Sequence, residues 1–130
     1  MPFSKLTIIF ALLCTLAHAA QGERIAQPDL SQFKSVAEAF TMLETHPEAT
    51  PTHHDGWVIF KLKQNGAYQL WSFTPDSHPA HPAVVKRTIV SHEGKVSIAM
   101  QVLCEAADIS CDILIAQFEA INEQIKSRFG

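Results

Sequence analysis

Apolar and polar positions along the chain fall into two periodicities after a mainly apolar run at residues 6–16. Leu30, Phe33, Ala37, Phe40 and Leu43 recur at steps of three and four, which is one face of a helix. Ser35 and Glu38 have the spacing of a capping box and place the firm start of that helix at Val36. His46-Pro47 ends it, and residues 46–55, polar and with prolines at 47 and 51, read as a loop.

From Trp57 the period changes to two. WVIFKLK, Gln64-Asn65-Gly66 and AYQLWSF together predict a hairpin with an Asn-Gly turn. That turn pairs Lys63 with Tyr68, Phe60 with Trp71 and Val58 with Phe73, and it gathers Val58, Phe60, Leu62, Trp71 and Phe73 on one face; a slip of one residue would scatter them. AVVKRTIVS and KVSIAMQVLC form a second hairpin around Glu93-Gly94. Val96, Ile98, Met100, Val102 and Cys104 alternate with polar or small residues, so the last strand is half buried. The strand before it stays open to two readings: a two-residue turn sends Val85, Arg87 and Ile89 inward, a three-residue turn Val84, Lys86, Thr88 and Val90. Either way, one basic residue is expected at the surface.

Ile113, Leu114, Phe118, Ile121, Ile125 and Phe129 line one stripe of a long C-terminal helix, opposed by Gln117, Glu119, Asn122, Glu123 and Lys126. The stripe, without methionine and poor in aromatic residues, reads as core. The element order α-β-β-β-β-α predicts an α+β fold, a two-layer sandwich whose four-stranded antiparallel sheet is covered on one side.

Composition and charge then place the chain. Lys5, the apolar run and Ala17-His18-Ala19 form a secretory signal over residues 1–20, with cleavage near Ala19 or Ala20. The run is too short to serve as a membrane span. Residues 21–29 read as a flexible lead-in and residues 30–130 as a single domain. Losing Lys5, the only charged residue of the signal, moves the formal net charge from −3 to −4. No basic block suits nucleic acid or an anionic membrane. A periplasmic or secreted location makes Cys104 and Cys111 a structural disulfide, since their spacing is too long for a redox C-x-x-C motif.

Candidate chemistry is confined to two surfaces. The turn ends of the two hairpins place His53, His54, Asp55, His78, His81 and the cysteine pair at the opposite end of the sheet. Imidazoles and a carboxylate are ligand types for zinc, copper or nickel. Against that, the prolines of SHPAHP favour an extended chain that holds His78 and His81 about 9 Å apart. The same loop, beside Lys86 or Arg87, suits recognition of a protein or a carboxylated ligand. The second surface is the outer face of the sheet, where Trp57, Ile59, Tyr68 and Leu70 alternate with the core set, and it suits a partner or a homodimer.

Catalysis has little support. Ser72, Asp76 and His78 include triad residue types without a nucleophile elbow, and no glycine-rich phosphate loop exists. The expectation is a non-enzymatic exported binding or accessory protein without a cofactor, acting through a protein partner by way of Trp57, Tyr68, Leu70, His78, His81 and Arg87. An inhibitor or immunity-type protein is its sharper form. The alternative is a periplasmic metal-binding protein using His53, His54, Asp55, His78 and His81.

Overall fold

The computed structural model describes residues 29–129. The expected signal and nearly all of the lead-in lie outside the described residues. A 3₁₀ turn, Leu30–Gln32, precedes α1 (Val36–Thr45), five strands, β1 (Thr50–His54), β2 (Trp57–Gln64), β3 (Ala67–Phe73), β4 (Ala83–His92) and β5 (Lys95–Cys104), and α2 (Asp108–Phe129). Ser35 caps α1 by accepting the Glu38 N–H at 3.1 Å. The Glu38 carboxylate reaches back to the Lys34 N–H at 3.0 Å instead of to the cap residue itself, so the capping box is only half formed. Among the described residues, no helix is long and apolar enough to cross a membrane.

The strands lie in sequence order, β1-β2-β3-β4-β5, each antiparallel to its neighbours. The sheet therefore has five strands where four were expected. β1 was missed because all five of its side chains are exposed, so the strand carries no apolar alternation. Backbone pairing from Thr50–Lys61 to His54–Trp57 holds it. Asp55 and Gly56 both take positive φ, +47° and +81°, as Asn65-Gly66 and Glu93-Gly94 do in the other two hairpins. Asp-Gly is itself a hairpin dipeptide, so the signal was in the turn and not in the strand.

The register of the β2–β3 hairpin is the expected one, with Lys63 opposite Tyr68, Phe60 opposite Trp71 and Val58 opposite Phe73. In the second hairpin His92 faces Lys95, so the turn has two residues and Val85, Arg87 and Ile89 share a face with Val102, Met100 and Ile98.

The layering differs from the expectation. α1 packs Val36, Ala39 and Leu43 against Phe60, Trp71, Phe73 and Val84 on one face. α2 packs Leu114 and Phe118 against Ala83 and Val85 on the other. The sheet lies between the two helices, and over its first five residues, Ala83 to Arg87, β4 is buried on both faces. Lys86 and Arg87, one of which was expected at the surface, are both only 7% exposed.

The first core is aromatic. Phe40 meets Phe60 and Phe73 edge-on at 5.5 and 5.0 Å, and the buried Trp71 indole donates to Gln69 Oε1 at 3.1 Å. The second core is smaller, and α2 does not bury the whole expected stripe. Leu114 and Phe118 are inside, whereas Ile113, Ile121 and Phe129 are exposed. The Cys104–Cys111 disulfide forms, with 5.9 Å between Cα atoms, and ties the end of β5 to the first turn of α2.

Candidate functional site

The histidines do share one end of the sheet, but the structure engages them separately. His53 pairs with Val58 and His54 with Trp57, so the two rings belong to opposite faces. His54 Nε2 stands 3.2 Å from Asp55 Oδ2, both groups being exposed. His81 Nδ1 lies 2.9 Å from Thr74 Oγ1 and 3.2 Å from the Thr74 carbonyl, while its Nε2 lies 3.4 Å from Asp76. His78 accepts the Ala80 N–H at 3.0 Å and sets its ring edgewise against Trp57 at 5.3 Å. Among the described residues, no three His, Cys, Asp or Glu side chains are grouped to hold a metal ion.

The loop at residues 74–82 is not the extended chain its prolines suggest. The His78 N–H donates to the Pro75 carbonyl and the His81 N–H to the His78 carbonyl, at 3.0 and 2.9 Å, which makes two successive turns. Thr74 closes the loop at its base, because its N–H donates to the Ala83 carbonyl and its Oγ1 accepts the Ala83 N–H, both at 3.0 Å. Backbone turns, supported by the Thr74 and His78 side chains, outweigh the polyproline preference here. A cleft of about 720 Å³ runs between this loop and α1, with Phe40, Val58 and Phe73 among its apolar walls. Its buried polar group, Thr74, is fully occupied in holding the loop.

The other side of the sheet carries a different kind of opening. α2 crosses above β4 and β5 and leaves β2 and β3 partly uncovered, forming a groove of about 570 Å³ lined by His54, Trp57, Ile59, Ser72, Arg87, Gln117, Phe118, Ala120 and Ile121. Trp57 and Phe118 pack at 5.8 Å. Arg87 lies with its guanidinium 5.0 Å from the Phe118 ring. Arg87 Nε and Ser72 Oγ are buried and have no hydrogen-bond partner, and no ion pair reaches Arg87 among the described residues. Burial holds this guanidinium below its ordinary pKa, although arginine keeps its charge at neutral pH.

The neighbouring cation shows what a compensated site looks like. Lys86, on the α1 face of the same strand, lies 5.2 Å from the Trp71 ring. Burial lowers its pKa, and the charge of Asp29 opposes that shift. The buried lysine has an acid nearby; among the described residues, the buried arginine has none.

Of the expected partner-binding residues, Trp57 and Arg87 line the groove and His78 packs on Trp57. Leu70 pairs with Arg87 on the same face, and Tyr68 lies further along it, with the Lys61 and Lys63 ammonium groups 4.7 and 5.4 Å from its ring. His81 belongs to the other cleft. Ser72, Phe118 and Ile121 were not anticipated as site residues. Ser72 was legible from its alternation with Trp71 and Phe73, but Phe118 and Ile121 share a helical stripe that looks like ordinary core.

Compared with known proteins, the chain matches no family model, no curated protein and no solved structure at a significant level. The groove must be interpreted from its own chemistry.

Proposed function

We propose that this chain is a small exported binding or accessory protein that works through a protein partner seated on the α2 side of the sheet. The observation that carries the reading is the apolar exterior of α2 beside the groove: Ile109 is 72% exposed, Ile113 55% and Ile121 41%. Ile109, Ile113, Ala116 and Ala120 recur at helical spacing along the outside of α2, and Ala120 and Ile121 continue the strip into the groove. A contiguous apolar surface that runs from a groove onto an outer helix face is more than a metabolite needs, and it has the form of a partner surface.

Export rests on the apolar leader sequence and agrees with the disulfide. Binding is favoured over catalysis because Thr74, His81 and Asp76, a hydroxyl, an imidazole and a carboxylate in mutual contact, are taken up in closing a loop.

The reading is tested by selecting a random peptide library, displayed on phage, against the disulfide-bonded protein and its Ile121→Lys variant. Selected peptides should bind the parent protein and lose affinity for the variant, whose lysine can extend into solvent from a position already 41% exposed and whose urea midpoint is compared with the parent's. Peptides indifferent to Ile121→Lys would place recognition elsewhere and overturn the proposal.

A further inference from the structure

A buried guanidinium without an anion is costly, because the solvation it loses is not replaced. The Phe118 face offsets part of that loss on one side of Arg87. Nothing in the described residues offsets the rest. Ser72 and Arg87 lie on the same face of β3 and β4 as diagonal neighbours, since Ser72 faces Val85 and Arg87 faces Leu70, two steps along the ladder. Such diagonal neighbours stand about 7 to 8 Å apart, a distance a long side chain closes. Two unpartnered polar atoms, Arg87 Nε and Ser72 Oγ, therefore belong to the sheet side of a groove whose helix side presents Phe118, Ala120 and Ile121 beside a single polar residue, Gln117.

The arrangement calls for an acceptor with two oxygens. A planar guanidinium pairs with a carboxylate through two parallel N–H···O bonds, and a hydroxyl beside it donates a third. We propose that Arg87, with Ser72 beside it, anchors an aspartate or glutamate side chain of the partner, whose neighbouring apolar residues lie against Trp57 and Ile121. The inference rests on the partner reading given above and adds to it the chemistry of the partner. It also runs against the net charge of the protein: the chain is mildly acidic as a whole, but the floor of this groove is cationic. Recognition is thus set by one local charge and not by long-range attraction.

A commitment to a protein segment follows from the exposed Ile113 and Ile121 beside the groove, which a small acid would leave uncovered.

The same displayed library, whose peptides are joined to the phage at their C-termini and so offer only side-chain carboxylates, provides the test. Selected sequences are expected to share an aspartate or glutamate between apolar residues. The synthetic consensus peptide should lose about 30-fold or more in affinity for Arg87→Gln, and as much when its own acid is changed to the amide. Arg87→Lys should restore only part, because the charge returns without the fork. The peptide-side change leaves the protein untouched, so the test holds even if Arg87→Gln folds poorly. Acid-free peptides that are lost in Ile121→Lys but indifferent to Arg87→Gln would overturn the carboxylate anchor and leave the partner reading standing. No selected peptide, together with saturable binding of isovalerate by the parent protein, would overturn peptide docking in favour of a small-acid site. No binding of either probe would overturn both readings.

Discussion

A Cβ placed on Gly56 would stand 2.9 Å from the Cβ of Pro75, so the β1–β2 turn is seated directly against the loop at residues 74–82. The contact joins the turn carrying Asp55 to the loop carrying His78 and His81. It also separates Gly56 from the other two hairpin glycines, which have open space around them.

All three glycines hold positive φ, so alanine at Gly66 or Gly94 should cost about 1 to 2 kcal/mol from backbone strain alone. Gly56→Ala should cost about 1 kcal/mol more, because the added carbon must also displace Pro75. Urea unfolding of the three variants checks this. Equal losses would show that the loop yields freely.

Arg87→Met should leave the protein as stable as the parent or more stable, by about 1 kcal/mol or more, because it removes a buried charge that has no counter-ion and keeps most of the volume. Lys86→Met should not show that gain, since Lys86 has Asp29 near it and the Trp71 ring beside it. The urea midpoints of the two variants give the comparison. A gain at Arg87 coupled with lost peptide binding would mean that stability has been given up to keep the groove charged.

Replacing Cys104 and Cys111 together by alanine should lower stability by about 2 to 3 kcal/mol, the chain-entropy value for so short a loop. The bridge joins β5 to α2, so amide exchange should rise first in the opening turn of α2 and little in β2 and β3. Uniform loss of protection would show that α2 docks only as part of the whole.

Asp29 should contribute to the acid limb of the pH profile. Its carboxylate accepts the Ser31 N–H and the Gln101 amide, and the Ser31 bond is the main reason its pKa lies below the ordinary 3.8. A lowered carboxylate pKa adds stability above its unfolded value, and that stability is lost as pH falls through the folded value. Between about pH 5 and pH 2, Asp29→Asn should therefore flatten the decline in unfolding free energy relative to the parent. Identical profiles would assign the acid sensitivity to other carboxylates.

The β2–β3 register was legible because two independent signals agreed, a turn that fixes pairing and an alternation that fixes facing. Where only one signal existed, the reading failed. β1 has a turn but no alternation, and it is held by backbone bonds that any side chain permits. The second helical layer was hidden for a related reason. β4 reads AVVKRTIVS, apolar on both faces with a cation on each, and charged residues normally mark solvent. Here Trp71 and Phe118 cover the cations with aromatic rings, and pattern cannot foresee a buried charge. The candidate groove was half visible: Trp57, Tyr68 and Leu70 were expected on one outer face and the groove lies on that face, but it exists only because α2 lies askew of it, and helix placement is not written in periodicity.

β1 also bears on how the molecule behaves in crowded company. Residues 57–62, WVIFKL, are the kind of strand that recruits copies of itself when its backbone is left unpaired. β1 covers that edge with five exposed side chains, Thr50, Pro51, Thr52, His53 and His54, and Pro51 removes one amide donor from the outermost strand. A segment with no apolar pattern of its own thus occupies the edge at which an apolar strand of the sheet would otherwise meet another chain.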